Sequence, residues 1–161
     1  MKSYYLHLGS NLGDRLQNLN QACVILNKRA GLIEDKSTIY ETEPWGLKDQ
    51  GAFLNMVIKL TSSFEPTPLL MLLKSIEQEC GVTEKTKWGP RKLDIDILYC
   101  DDLIYESDAL KIPHPHISER NFVLIPLMEI AGDFIDPVLQ LSIEELFENC
   151  KDESEVLIFE D

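Results

Sequence analysis

Apolar and polar side chains alternate along three stretches of the chain, residues 4–9, 33–42 and 53–60. Successive side chains of a β-strand point to opposite faces, so an alternation with a period of two indicates a strand with one face on a core. We therefore predict strands over these three stretches. A further apolar run at residues 93–100 contains two aspartates and is predicted to be a fourth strand.

Apolar residues between these strands recur with helical spacing. Residues 15–28 follow the turn sequence GSNLGD and precede Gly31, so they predict a first helix. A second helix is predicted to begin near Pro66 and Pro68, which a first helical turn tolerates, and to end at Gly81. Its apolar stripe consists of Leu69, Leu72, Leu73, Ile76 and Cys80.

The chain after the fourth strand is predicted to contain shorter elements. Asp101 and Asp102 form a tight turn, and residues 103–105 are expected to pair back on the fourth strand as a hairpin. Residues 113–115, Pro-His-Pro, form a rigid, non-helical segment. Two short helices are predicted near residues 122–131 and 142–149.

The predicted element order is β-α-β-β-α-β, which is typical of a ferredoxin-like α+β domain with a largely antiparallel sheet. We expect residues 1–161 to form a single domain, because no linker interrupts the pattern. Two long loops are predicted at residues 43–52 and 82–91, and each contains a tryptophan, Trp45 or Trp88. Each tryptophan either anchors its loop on the core or covers a ligand, and the sequence pattern does not choose between these roles.

The two aspartates of the fourth strand are expected to stand side by side on one face. Simple alternation places Leu93, Ile95, Ile97 and Tyr99 on one face and Asp94, Asp96, Leu98 and Cys100 on the other. Two strand steps separate the Cα atoms of the aspartates by ~6.5 Å, so both carboxylates can reach one cation or a pair of cations. Because both faces are apolar beyond Asp96, we predict a central strand whose acidic end opens at the edge of the core.

Composition and charge narrow the possible partners. The 161 residues are 44% hydrophobic and 27% charged, which is ordinary for a folded domain, and no apolar run approaches the ~20 residues of a membrane span. The formal net charge of -13 argues against nucleic acid or an anionic membrane as a partner. The start of the chain lacks the features of a signal peptide, so the cytoplasm is the expected location. The cysteines are scattered and are expected to be buried, reduced thiols: Cys23, Cys80, Cys100 and Cys150.

One basic segment stands out in this acidic chain. Between residues 83 and 93 the sequence contains one acidic residue, Glu84, and four cationic residues, namely Lys85, Lys87, Arg91 and Lys92. Mg²⁺ is usually held by one or two carboxylates while substrate phosphates complete its shell, and Asp94 and Asp96 meet that requirement. Arg91 is expected to bind phosphate oxygens through its guanidinium fork. These residues predict a Mg²⁺-dependent enzyme acting on a phosphate ester or anhydride.

The histidines add little to this prediction when spacing alone is considered. His7 lies in the first predicted strand, where it faces a strand neighbour. His114 lies in PHPH, and the sequence shows no further histidines or cysteines at the spacing of zinc ligands, so a zinc site is not expected. His114 and Arg120 either contact phosphate from a rigid loop or are solvated at the surface, and spacing leaves both possibilities open.

Several motifs, read together, resemble one known family. YETEPWG, FLN, WGPRKLDIDIL and IPHPHISERNFVLIPLMEI occur in order and are similar to motifs of 6-hydroxymethyl-7,8-dihydropterin pyrophosphokinase of folate biosynthesis. The resemblance extends from Gly9 to about Pro137. It implies transfer of pyrophosphate from ATP to the hydroxymethyl oxygen of the pterin, with AMP as the second product. It also implies two Mg²⁺ ions at Asp94 and Asp96.

The same resemblance implies roles for individual residues. The pterin is expected to stack between Phe53 and Phe122, while Asn55 and the segment around Thr42 and Trp45 contact its polar edge. The residues expected at the ATP site are Glu77, Trp88, Arg91, His114 and Arg120. Arg91, Asp94 and Asp96 are the expected catalytic residues, and the substrates are small molecules bound by a monomer.

This chain departs from the family pattern after Gly81, where Val82 and Thr83 replace an expected arginine. Lys85 or Lys87 is a candidate replacement, although lysine lacks the guanidinium fork. The segment 139–161 carries no motif and is expected to be structural. Two alternatives remain open at this point: a kinase that transfers only the γ-phosphate, and a ferredoxin-like sensor that binds a small ligand without turnover.

Overall fold

The computed structural model describes residues 1–43, 51–81 and 92–161. Their element order matches the predicted β-α-β-β-α-β core, followed by additional elements. The strands are β1 (Lys2–Ser10), β2 (Leu32–Lys36), β3 (Tyr40–Thr42), β4 (Phe53–Ser62), β5 (Asp94–Cys100), β6 (Tyr105–Glu106), β7 (Lys111–Ile112) and β8 (Val156–Ile158). The α-helices are α1 (Arg15–Arg29), α2 (Pro66–Glu79), α3 (Asn121–Ala131) and α4 (Ile143–Asn149).

The main sheet has the strand order β5-β1-β4-β3-β8, and β2 also pairs with β4. Every pairing between its named strands is antiparallel. The four strands of the predicted core therefore lie in the order fourth, first, third, second, which is the ferredoxin-like arrangement. The predicted α+β class and largely antiparallel sheet are confirmed.

Helices cover both faces of this sheet. One apolar cluster joins one face to α1 and α2, and it includes Leu6 of β1, Leu26 of α1 and Leu73 of α2. A second cluster joins the other face to α3 and α4 through residues such as Tyr5 and Leu124. The predicted helix at residues 15–28 is confirmed as α1. The side chain of Asp14 caps its start by accepting a hydrogen bond from the Gln17 N–H.

The fourth predicted strand is confirmed as β5, but its position and alternation differ from the prediction. Within the described residues β5 lies at the end of the strand order, beside β1 alone, rather than at the centre. Tyr5 pairs with Tyr99 and the next residue of β1, Leu6, pairs with Ile97, so Leu98 is an extra residue in β5. This irregularity moves Tyr99 onto the face of Asp94 and Asp96, and moves Cys100 to the face of Ile95 and Ile97; Leu98 stays where alternation placed it.

The predicted strand at residues 33–42 is two strands. β2 and β3 both pair with β4, but residues 37–39 belong to neither strand, although Ser37 still donates its N–H to the Val57 carbonyl of β4. The reason is a competing set of hydrogen bonds, because the backbone N–H and hydroxyl of Thr38 both donate to the Glu129 carboxylate of α3, at 3.0–3.1 Å.

The predicted hairpin of residues 103–105 with β5 is wrong. β6 pairs with β7 in a separate two-stranded sheet. The tight turn at Asp101 and Asp102 is present, but Asp101 has a φ of 47° and donates its N–H to the Ser3 carbonyl. That bond extends the contact of β5 with β1, and the outer edge of β5 receives the His114 N–H at the Leu98 carbonyl.

The C-terminal segment adds an edge strand, since β8 pairs with β3. All four cysteines are free; Cys23 and Cys100 are buried as predicted, while Cys80 and Cys150 are only partly buried. The Ile112–Pro113 peptide bond is cis. No helix within the described residues is both long and apolar enough to cross a membrane.

Candidate active site

The sheet face that packs on α3 and α4 changes from apolar to polar along its strands. Tyr5 lies in the apolar cluster, whereas the next residues of β1 on that face are His7 and Gly9. Strand register then brings the predicted residues together, because His7 pairs with Asp96 and Gly9 lies between Asp94 and Asn55. The polar end of this face is therefore a surface built from three adjacent strands.

The two aspartates form one end of this surface. Asp94 and Asp96 are half-buried, and Ile95 between them is buried on the opposite face. The Ile95 N–H points away from β1 and donates to the carboxylate of Glu77, at 2.7 Å. Glu77 is buried on α2. Glu77, which is expected at the ATP site, thus lies beside the carboxylate end of β5 and holds the backbone from which both aspartates project.

Arg120 and His114 lie over this carboxylate end. They come from the segment that precedes α3, which is held along β5 by the bond from the His114 N–H to the Leu98 carbonyl. Arg120 is 7% exposed. Burial lowers the pKa of its guanidinium, while the charges of Asp96 and Asp94 act in the opposite direction. Arginine remains protonated in proteins, so one cation lies close to two carboxylates in the described part of the site.

His114 is a neutral hydrogen-bond donor in this arrangement. Burial, followed by the charges of Arg120 and His116, lowers the pKa of His114 to about 4. The His116 N–H donates to Nδ1 of His114 at 3.1 Å. A ring nitrogen that accepts a hydrogen bond carries no proton, so the proton of the neutral ring is on Nε2.

An amide and two aromatic rings form the other end of the surface. Asn55 is 1% exposed, and its Nδ2 donates to Oγ1 of Thr42 at 2.8 Å. Phe53 and Phe122 are both partly exposed. A Cβ atom on Gly9 would lie 3.5 Å from the Phe53 ring and 3.7 Å from the Asn55 Oδ1. Glycine at this position leaves the space beside the amide open.

His7 lies between these two ends, and its sequence context predicted no role for it. Its Nε2 is 3.1 Å from the Asn55 Oδ1, and its ring meets the Phe122 ring edge-on with centroids 5.7 Å apart. Burial and the charge of Arg120 lower the pKa of His7 to about 4, against a smaller opposing effect of the Asn55 hydrogen bond. The available signal was its position two residues before Gly9, which puts both residues on the same face.

The structure brings together most of the predicted site residues. Nine of them line or support one continuous surface: Thr42, Phe53, Asn55, Glu77, Asp94, Asp96, His114, Arg120 and Phe122. Trp45, Trp88 and Arg91 lie outside the described residues. Among residues 1–43, 51–81 and 92–161, no group of three or more His, Cys, Asp or Glu side chains is placed to hold a metal ion.

Comparison with known proteins gives matches to one family. The family model described as 7,8-dihydro-6-hydroxymethylpterin-pyrophosphokinase (HPPK) matches residues 5–132. The chain is similar to proteins named 2-amino-4-hydroxy-6-hydroxymethyldihydropteridine pyrophosphokinase from Aquifex aeolicus and Bacillus subtilis. The Aquifex protein is 42% identical over 145 residues, 90% of each chain. The Bacillus protein is 46% identical over 128 residues, 79% of this chain and 77% of that protein.

A solved structure shows the same fold. The chain aligns with a crystal structure of Plasmodium falciparum HPPK-DHPS with pteroate at a TM-score of 0.76 and 17% sequence identity. The alignment covers 92% of this chain but only 42% of that one. The chain therefore spans less than half of this solved relative.

Proposed function

The chain belongs to the 7,8-dihydro-6-hydroxymethylpterin-pyrophosphokinase family, and on this premise we propose its reaction and the residues that perform it. It transfers the terminal pyrophosphoryl unit of ATP to the hydroxymethyl oxygen of 6-hydroxymethyl-7,8-dihydropterin. The products are the pterin diphosphate and AMP, and the reaction is a step of folate biosynthesis. The observation that carries the proposal is the single polar surface on which an amide and two phenylalanines adjoin paired aspartates, Arg120 and His114.

The amide end of the surface is the pterin site in this proposal. A flat heterocycle gains from stacking on aromatic faces, which Phe53 and Phe122 supply. Asn55 both donates and accepts hydrogen bonds, so it matches the mixed polar edge of a pterin. Thr42 holds the Asn55 amide at 2.8 Å, and the backbone beside Thr42 and Trp45 completes the predicted set of contacts.

The carboxylate end of the surface is the phosphate site. Asp94 and Asp96 provide hard oxygen ligands on one strand face, and the lack of a third acidic or histidine ligand among the described residues fits an ion that substrate oxygens and water complete. We propose that these two residues hold Mg²⁺, with two ions expected. Bound Mg²⁺ would neutralise negative charge on the triphosphate during transfer.

The remaining side chains position the phosphates. Arg120 presents a buried guanidinium that binds phosphate oxygens, and burial strengthens that interaction relative to water. His114 donates from Nε2 without adding a second positive charge. Glu77 keeps the β5 backbone fixed, so the two aspartates project at a constant angle. Arg91 and Trp88 are proposed to contact ATP as well.

The transfer is proposed to be an in-line displacement. The hydroxymethyl O–H releases its proton to solvent as its oxygen forms a bond to the β-phosphorus of ATP. The bond from that phosphorus to the α,β-bridging oxygen breaks, so AMP leaves. Proximity and orientation of the two substrates are the main contributions expected from the protein. The amide end on β4 and the carboxylate end on β5 flank β1, and this arrangement on three neighbouring strands provides that proximity.

We further propose that the chain acts as a single domain, residues 1–161, and as a monomer. Its partners are small-molecule substrates rather than nucleic acid or a membrane, which a net charge of -13 would disfavour. The cytoplasm, where ATP is abundant, is the proposed location.

Identification of the nucleotide product tests the proposal. The protein is incubated with MgATP and the pterin, and the nucleotides are separated by chromatography. AMP formed in equal amount to the pterin diphosphate is the expected result. ADP would instead identify a kinase that moves only the γ-phosphate, and no new nucleotide would favour a sensor domain.

A further inference from the structure

His7 is a buried polar side chain that contacts two proposed pterin-binding residues. It is 5% exposed, its Nε2 is 3.1 Å from the Asn55 Oδ1, and its ring meets the Phe122 ring at an angle of 65°. Neither the predicted chemistry nor the proposed phosphate contacts involve this residue. Its contacts with both Asn55 and Phe122 indicate that the imidazole acts through these two residues.

The direction of the hydrogen bonds follows from the Asn55 amide. Its Nδ2 donates to Oγ1 of Thr42 at 2.8 Å and lies 3.4 Å from the Phe53 carbonyl, which only accepts, so its Oδ1 is the atom that faces His7. A carbonyl oxygen only accepts hydrogen bonds, so Nε2 of His7 carries a proton and donates it. His7, Asn55 and Thr42 therefore form a chain of two hydrogen bonds.

Thr42 alone does not determine which way the amide faces. Its hydroxyl donates as readily as it accepts, so an Asn55 side chain rotated by half a turn would satisfy it equally well. The Phe53 carbonyl, which only accepts, favours the observed orientation at the long distance of 3.4 Å. The imidazole N–H of His7 reinforces that orientation at 3.1 Å, because a rotated amide would place its NH₂ group against another donor. Burial of His7 limits exchange of the ring proton through water.

We propose that His7 is a positioning residue that fixes the orientation of the Asn55 amide and so sets the hydrogen-bonding pattern offered to the pterin. The assignment rests on the proposed function for the identity of the ligand. Edge-on contact with Phe122 adds a second effect, since it holds one of the two stacking rings. Gly9, which leaves open the space next to His7 and Asn55, makes room for the ligand above them.

Two substitutions of His7 separate hydrogen bonding from packing. His7→Leu keeps much of the volume but removes the N–H donor, whereas His7→Gln keeps an amide N–H. We expect the Kd for 6-hydroxymethylpterin to rise about tenfold in His7→Leu and to stay within about threefold of the wild type in His7→Gln. The Kd for MgATP should stay within about twofold in both variants, because the phosphate end is not altered. Titration calorimetry measures both constants, and thermal unfolding checks that each variant is folded.

A double-mutant cycle tests whether His7 acts through Asn55. In an Asn55→Ala background, His7→Leu should change the pterin Kd by less than about twofold, because the amide that it orients is absent. A full tenfold effect in that background would overturn the proposal, as would equal losses in His7→Leu and His7→Gln. Nitrogen NMR of the folded wild type should show His7 protonated on Nε2 and unprotonated on Nδ1 at neutral pH, and the opposite pattern would also overturn it.

The wild-type assays distinguish failure of this inference from failure of the proposed function. A wild type that produces AMP and binds the pterin, with an unchanged pterin Kd in His7→Leu, overturns only the role of His7. A wild type that neither binds the pterin nor produces AMP overturns the proposed function, and the positioning role of His7 fails with it.

Discussion

At the scale of single residues, the proposed chemistry depends on the carboxylates of Asp94 and Asp96. Replacement of either residue by asparagine keeps the shape of the side chain and removes its negative charge. We expect Asp94→Asn and Asp96→Asn to lower the rate of AMP formation by about 10²-fold or more, in line with the loss of a group that stabilises transition-state charge. Steady-state assays measure the rate, and circular dichroism tests whether the fold is intact.

Asp102→Asn is a matched control for this prediction. Asp102 is exposed on the turn that follows β5, so Asp102→Asn makes the same chemical change outside the proposed site. Its rate of AMP formation should equal that of the wild type. A near-native rate for either the Asp94 or the Asp96 variant at saturating Mg²⁺ would show that the proposed phosphate site is wrong.

Site residues whose partners are close in the sequence could be identified from it, and those whose partners are distant could not. Asp94 and Asp96 were visible because two charges two positions apart in an apolar strand share a face by local geometry alone. His7 was not visible as a site residue, because its partner Asn55 lies on β4, 48 positions away. Only the register between β1 and β4 brings the two side chains together, and a single strand pattern does not contain that register.

At the scale of elements, the helices and the strands β1, β4 and β5 were predicted correctly, and the errors lie in two short segments. α1, α2, β1 and β4 span 9 to 15 residues, and each contains an apolar stripe or alternation. The predicted strand at residues 33–42 is interrupted where Thr38 donates to Glu129 of α3. The predicted hairpin on β5 does not form, because β6 pairs with β7 instead. A local pattern contains neither of these tertiary partners.

The C-terminal segment supports the start of α3, which carries Phe122. The Asp152 carboxylate accepts hydrogen bonds from the N–H groups of Asn121 and Ser154, both at 2.9 Å. Arg120, which precedes the helix, makes no capping bond with its side chain. Asp152 therefore caps the start of α3, although it lies 31 positions away in the sequence.

We predict that Asp152→Ala lowers the free energy of unfolding by about 1 kcal/mol, the usual effect of losing a helix cap. Urea denaturation followed by circular dichroism measures the change. Glu153→Ala is the control, because Glu153 is exposed and its replacement should alter stability by less than about 0.5 kcal/mol. Equal stability of the Asp152 variant and the control would contradict this role for the C-terminal segment.

At the scale of the whole molecule, the order of elements was enough to predict the ferredoxin-like class but not the arrangement around the site. The order β-α-β-β-α-β limits the sheet to few topologies. It does not indicate that α3 and α4 cover the second face, since short helices after a domain core can pack in several places. Their position matters, because it encloses one end of that face and leaves His7, Asn55 and the two aspartates at the other.

The proposed anion site lies in an acidic chain. The formal net charge is -13, and the described surface near Asp94 and Asp96 holds the buried cation Arg120 and a neutral donor, His114. One guanidinium does not neutralise two carboxylates, so phosphate binding at this surface depends on the proposed Mg²⁺ ions. The distant net charge opposes binding less strongly, because salt screens it over about 10 Å.

The most direct test of the central claim is a crystal structure of the protein with Mg²⁺, a non-hydrolysable ATP analogue and the pterin. The account predicts that carboxylate oxygens of Asp94 and Asp96 lie about 2.0–2.1 Å from Mg²⁺, with the pterin ring between Phe53 and Phe122. Both aspartates turned away from any ion, with the triphosphate bound elsewhere, would contradict it.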